Sequence, residues 1–129
     1  MVAVDTSSWI AFFADDPGGD VEALQEALSL KCAVNPPVVL SELFSDPNIK
    51  GEIGELLLQI PSFEVKSGYW MRAGLSRAKL VNRRLKARLA DTLIAQYCID
   101  YGIPLITRDK DFRHFAKYCG LRLLSSPIR

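Results

Sequence analysis

Along this 129-residue chain, short unbroken apolar runs alternate with longer stretches in which apolar residues recur every three or four positions. Val2-Ala3-Val4, Cys32-Ala33-Val34 and Ile103-Pro104-Leu105-Ile106-Thr107 are runs of the first kind and predict buried strands, with Pro104 near a strand start where a missing N–H does least harm. Phe63-Glu64-Val65 is a further candidate strand. The stretches of the second kind predict helices. The first runs from about Ser7 to Ala14, capped by Thr6 or Ser7, and Asp15 to Gly19 form a loop. Asp20 then caps VEALQEALSL, where Val21, Leu24, Ala27 and Leu28 share one face.

Asn35-Pro36-Pro37 marks a break and a helix start, with Pro37 in the first turn of VVLSELFSD. Pro47-Asn48 separates that helix from GEIGELLLQ. Ser67 caps a long helix through GYWMRAGLSRAKLV, and the basic connection NRRLKAR leads into LADTLIAQYCIDY, which stops at Gly102 ahead of Pro104. Asp109 to Tyr118 is helical, and Leu121 to Leu124 close the chain. Apolar strands interleaved with helices predict an α/β fold, a short parallel sheet with helices on both faces. The length suits one domain, residues 1–129.

Composition narrows the functional class. With 49% hydrophobic and 24% charged residues, and no apolar run near the ~20 residues that cross a bilayer, the chain reads as soluble and not membrane-bound. MVAVD has no basic leader ahead of a long apolar stretch, so no processing is expected. Cys32, Cys98 and Cys119 are odd in number, far apart and set among apolar residues, as buried thiols in a reducing cytoplasm would be. His114 is the only histidine, too few for a histidine metal site, and a Ser-His-Asp site would have to use it without a Gly-x-Ser-x-Gly elbow, so that chemistry is set aside. The formal net charge of +1 hides a division. Residues 1–65 hold eleven acids against Lys31 and Lys50, while residues 66–129 hold fourteen bases against four acids, which points to one polyanion-facing side.

Four acids stand in unusual places. Asp5 ends the first strand, Glu42 lies at the edge of an apolar helix stripe, Asp91 shares a helix face with Ile94 and Cys98, and Asp109 follows the strand at Leu105-Ile106. Each alone reads as a cap or a turn acid. Together they can face one edge of the sheet, and carboxylates so placed ionise together only if a cation screens them. Oxygen ligands without histidine or cysteine select Mg²⁺ or Mn²⁺, and such ions activate water for phosphodiester hydrolysis without a nucleophilic side chain.

With these acids in view, VAVDTSSWIAFF, VVLSELF and LADTLIAQYCIDYGIPLITRDKDF resemble a PIN domain of the VapC type, the toxin ribonucleases of toxin–antitoxin pairs. The resemblance implies a three-layer fold and metal-dependent cleavage of RNA. It makes Asp5 and Asp91 the principal metal ligands, has Glu42 ligate or position water, and completes the cluster with Asp109. Asp111 is the alternative fourth acid, Thr107 matches the family's hydroxyl residue beside the site, and Thr6 is placed to orient Asp5. Arg108 stands where many relatives carry a small polar residue. The resemblance also implies a homodimer and a small antitoxin partner that covers Trp9, Phe12 and Phe13, at least one of which belongs to the core.

The basic segment fits an RNA partner. Lys66, Arg72, Arg77, Lys79, Arg83, Arg84, Lys86 and Arg88 come without an intervening acid, and of these Arg72, Arg77, Arg83, Arg84, Lys86 and Arg88 are the candidate phosphate contacts. Trp70 is expected to pack rather than stack on a base. A dehalogenase-type phosphatase would want a second acid two residues after Asp5, where this chain has Ser7. A receiver domain would carry an acidic pair ahead of its acceptor aspartate. A housekeeping PIN nuclease or a non-catalytic RNA-binding PIN module are the nearer alternatives, and degraded acidic positions would mark the latter; all four are intact.

Overall fold

A computed structural model of the chain describes residues 1–124. Its elements in order are β1 (Val2–Val4), α1 (Thr6–Phe13), α2 (Gly19–Ser29), β2 (Ala33–Val34), α3 (Pro37–Phe44), α4 (Gly51–Gln59), α5 (Tyr69–Asn82), α6 (Leu89–Tyr101), β3 (Leu105–Ile106), a 3-10 turn (Lys110–Phe112) and α7 (Arg113–Cys119). The strands form one parallel sheet in the order β2-β1-β3, with Val2 opposite Ala33 and Val4 opposite Ile106. Every strand residue is buried, as parallel strands covered on both faces require. Leu123 bridges to Leu105 and extends the β3 edge, so residues 122–124 are held to the sheet.

Core and element ends follow from local chemistry. Trp9 is wholly buried, donates Nε1–H to Asn35 Oδ1 at 2.7 Å, and packs edge-on to Phe12 and stacked on Phe13. Trp9 is therefore core, while Phe12 and Phe13 are half-buried. Gly102 ends α6 in the left-handed conformation, with φ 64°, where a β-carbon would be strained. Cys98 is buried, whereas Cys32 and Cys119 are only half-buried; all three are free.

Several expectations are corrected. Phe63-Glu64-Val65 is not a strand, because the Phe63 and Glu64 carbonyls accept the hydroxyls of Tyr97 and Tyr101 on α6 instead of a ladder partner. The α1 cap is Asp5 itself, not Thr6 or Ser7. Asp20 lies inside the first turn of α2, where its carboxylate takes Ser8 and Arg108 rather than capping. Ser67 does not cap α5; Gly68 occupies that position at φ 81°, and the Ser67 carbonyl accepts from Arg72. Trp70, expected to pack, is 67% exposed.

Candidate metal centre

The chain leaves central β1 toward β2 on one side and arrives at β3 on the other, so the C-terminal ends of β1 and β3 flank the switch point of the sheet. Asp5 sits there, its N–H bonded to Ile106 O at 2.9 Å. Its Oδ2 accepts Ser7 Oγ–H at 2.6 Å, Thr107 Oγ1–H at 2.8 Å and the Ser7 N–H at 3.4 Å. Burial pushes the Asp5 carboxyl up, and the hydrogen bonds from Ser7 and Thr107 work against that rise. Thr107 also accepts the Asp109 N–H at 3.0 Å, so one hydroxyl ties the two acids together.

Asp109 caps the 3-10 turn by accepting the Asp111 N–H at 2.9 Å, and Asp111 pairs with Lys86 at 3.0 Å. Lys86 beside it holds the Asp111 carboxyl below its ordinary value. Glu42 on α3 accepts Thr6 Oγ1–H at 2.7 Å. Thr6 therefore orients Glu42 and not Asp5; the residues that orient Asp5 are Ser7 and Thr107. Ser7 had offered itself in the sequence only as a helix cap.

Asp91, buried like Asp5, stands in the first turn of α6. The helix N-terminus favours an anion there. Burial outweighs that preference, and with the charges of Asp109, Asp5 and Glu42 it pushes the Asp91 carboxyl up to about 6, against the pull of Arg88. Asp91 Oδ2 is buried and has no hydrogen-bond partner. Carboxylate oxygens of Asp91, Asp109 and Asp111 lie within 4.8 Å of one another, so Asp109 and Asp111, alternatives in the sequence, both converge on Asp91. Asp5 is not part of that closest trio, but its charge acts on Asp91 from the strand end. A buried carboxylate oxygen without a donor, in a set made only of carboxylates, fits a hard divalent cation such as Mg²⁺ or Mn²⁺.

The sequence model of the PIN domain matches residues 2–118 of the chain. The chain belongs to the PIN domain family. This PIN domain is similar to VapC ribonuclease Mb1587 of Mycobacterium bovis and to ribonuclease VapC11 of Mycobacterium tuberculosis, each 26% identical over 132 residues that cover 97% of this chain and 98% of theirs. Among solved structures it resembles VapBC2 from Rickettsia felis bound to a DNA fragment from their promoter (TM-score 0.74, 17% identity, 96% of this chain and 98% of that one). It also resembles DNA-bound VapBC from Salmonella typhimurium (TM-score 0.70, 20% identity, the same coverages). A third likeness is VapBC-5 from Mycobacterium tuberculosis (TM-score 0.71, 17% identity, 95% and 96%). At these identities the solved structures establish the shared α/β fold.

The basic stretch of this PIN domain divides. Arg72 donates to both Asp100 oxygens at 3.0 and 2.6 Å, Arg77 to Ala87 O at 2.8 Å, and the Arg83 guanidinium lies 4.3 Å over the Tyr118 ring. These three are engaged within the chain. Arg84 and Arg88 are exposed, and Lys86 reaches Asp111. Lys86, paired with Asp111 at 3.0 Å, and Arg88, whose charge acts on both Asp91 and Asp111, border the acidic cluster. Among the described residues no helix is long and apolar enough to cross a membrane.

Proposed function

We propose that this PIN domain is a cytoplasmic, metal-dependent endoribonuclease, the toxin of a toxin–antitoxin pair, with Asp5, Glu42, Asp91 and Asp109 as its catalytic acids. The observation that carries the reading is the partnerless, buried Asp91 Oδ2 set against Asp109 and Asp111 at the sheet's switch point. The names of the curated relatives, both ribonucleases, support the choice of RNA. Asp5, Asp91 and Asp109 would hold Mg²⁺ or Mn²⁺, with Asp111 beside them. When bound, the cation lowers the pKa of a coordinated water and offsets the charge that builds on a phosphodiester.

The chain's own groups divide the remaining work. Glu42, fixed at one oxygen by Thr6, offers its other oxygen to the proton of the attacking water. Ser7 and Thr107 hold Asp5 in one rotamer. Lys86 and Arg88 beside the acids, with the exposed Arg84, supply phosphate contacts, and Arg72, Arg77 and Arg83 act chiefly in folding.

An antitoxin is supported by the VapBC names of the structural neighbours. On this chain its footing would be the half-buried Phe12 beside Asp15, Asp16 and Glu22, which line a cavity of 320 Å³ suited to a basic side chain. A homodimer is supported by the outer face of α5, where Trp70, Met71, Gly74, Leu75, Ala78 and Val81 follow one another without a charge. A β-carbon at Gly74 would meet nothing within 4 Å, so packing within the chain does not call for glycine there, although glycine in a helix interior costs about 1 kcal/mol. An uncharged face meets its own copy across a two-fold axis without repulsion. The toxin reading is tested by induced expression with and without the neighbouring upstream reading frame. Growth arrest relieved by that neighbour supports it, and indifference contradicts it.

A further inference from the structure

Beside the acidic centre lies a second polar network that the proposed chemistry does not use. The Arg108 guanidinium donates from Nε to Asp20 Oδ2 and from Nη2 to Asp20 Oδ1, both at 2.9 Å. It also donates from Nη1 to Asp16 Oδ2 at 2.8 Å and from Nη2 to the Asp16 carbonyl at 3.1 Å. These bonds join the residue after Thr107 to the loop between α1 and α2 and to the first turn of α2. Two carboxylates already meet the charge, and the fork-shaped donor set is largely filled, so Arg108 is poorly placed to take an RNA phosphate.

The network continues to the metal centre. Asp20 Oδ2 also accepts Ser8 Oγ–H at 2.8 Å, and Ser8 is wholly buried in the first turn of α1. Next to it, Ser7 donates to Asp5 Oδ2 at 2.6 Å and accepts the backbone N–H of Arg108 at 3.3 Å. Residue 108 thus grips the first turn of α1 twice, at Ser7 through its backbone and at Ser8 through its side chain and Asp20. That turn is the one capped by Asp5.

Gly18 lies directly against the clamp. A β-carbon there would stand 2.7 Å from Asp20 Oδ1 and 2.9 Å from Arg108 Nη2. Its φ of 169° is extended backbone open to any residue, so glycine serves the space that the clamp occupies. We infer that Arg108 is a positioning residue: by locking Asp16 and Asp20 against the end of β3, it fixes the α1 turn that aims the Asp5 carboxylate at the metal centre. The inference rests on the reading of Asp5 as part of that centre.

The test compares Arg108→Met, Arg108→Lys and Gly18→Ala with the natural protein, first by calorimetric titration with Mn²⁺ and then by RNA cleavage across a salt series. Arg108→Met and Gly18→Ala should each weaken Mn²⁺ binding about tenfold and lower kcat by a similar factor with KM little changed. Arg108→Lys, a point charge unable to span both aspartates, should recover only part of the loss. If Arg108→Met does not fold, Gly18→Ala and Arg108→Lys carry the same comparison. Unchanged Mn²⁺ affinity in the folded variants overturns the inference. A raised KM with a shallower salt dependence for Arg108→Met, beside a normal Gly18→Ala, overturns it in favour of a phosphate contact. If the natural protein binds Mn²⁺ without cutting RNA, the ribonuclease reading fails while the titration still decides the role of Arg108.

Discussion

Thr107 Oγ1 donates to Asp5 Oδ2 at 2.8 Å and accepts the Asp109 N–H at 3.0 Å, joining the ends of β1 and β3 through one hydroxyl. Thr107→Val removes both bonds at nearly constant volume. It should cost on the order of 1–2 kcal/mol of stability and weaken Mn²⁺ binding, while Thr107→Ser retains both properties. Chemical denaturation and calorimetric titration of the two variants make the comparison. A Val variant that matches the natural protein, beside a Ser variant that loses stability and Mn²⁺ binding, would show that the methyl group and not the hydroxyl is what matters.

Asp91 makes the metal-free protein pay a penalty for its charge. Its carboxyl titrates near 6 in the folded state and near 3.8 when unfolded, so the folded form holds the extra proton between those values. Stability contributed by that proton is present near pH 4 and is lost as pH rises through about 6, on the order of 2 kcal/mol. Asp91→Asn should therefore stabilise the metal-free protein at pH 7, and Mg²⁺ or Mn²⁺ should raise the Tm of the natural protein but not that of Asp91→Asn. Thermal melts with and without metal at pH 5 and pH 7 measure both effects.

The acid limb of the stability curve has a different origin. Asp20 is buried and Asp100 half-buried, and desolvation alone would raise both, but hydrogen bonds from Arg108 and Ser8, and from Arg72 and Gln96, hold the two carboxyls below their ordinary value. The folded form binds these two protons less tightly than the unfolded chain. Their contribution is full above about pH 4 and disappears as pH falls through the depressed values. Asp20→Asn and Asp100→Asn should each lose stability at pH 7 and show a flatter decline below pH 4 than the natural protein.

The proposed homodimer would form through the outer face of α5. Leu75 is 63% exposed beside Gly74, and Leu75→Glu places a charge at the centre of the uncharged stripe. The variant should sediment as a monomer with an unchanged melting temperature at low concentration. A natural protein that is itself monomeric at tens of micromolar would remove the dimer from the account.

How far the chain could be read before folding depends on how local each cause is. The α6 helix lies at Leu89–Tyr101 as its apolar spacing and the Gly102 stop dictate, and α3 starts at Pro37 because a proline suits a first turn. The strand-end acids were legible because Asp5 and Asp109 directly follow apolar runs. The clamp of Arg108 on Asp16 and Asp20 was not, because its partners are 92 and 88 positions away and no periodicity pairs them. Phe63-Glu64-Val65 misled for a related reason: tyrosines from α6 bind its carbonyls, and their reach is invisible in a three-residue pattern. The cations of α5 read as one polyanion-binding group, yet Arg72 and Arg77 fold back onto Asp100 and Ala87.

The most direct measurement is cleavage of RNA by the purified protein, freed of any partner and stripped with EDTA, before and after addition of Mg²⁺ or Mn²⁺. Cutting should be absent from the stripped protein, return with either metal, and fail in Asp5→Asn and Asp91→Asn proteins that remain folded. The products should carry 5′-phosphate and 3′-hydroxyl ends. Cleavage that persists in EDTA, or that Asp5→Asn and Asp91→Asn leave unchanged, would contradict the assignment of a metal-dependent ribonuclease to this acidic centre.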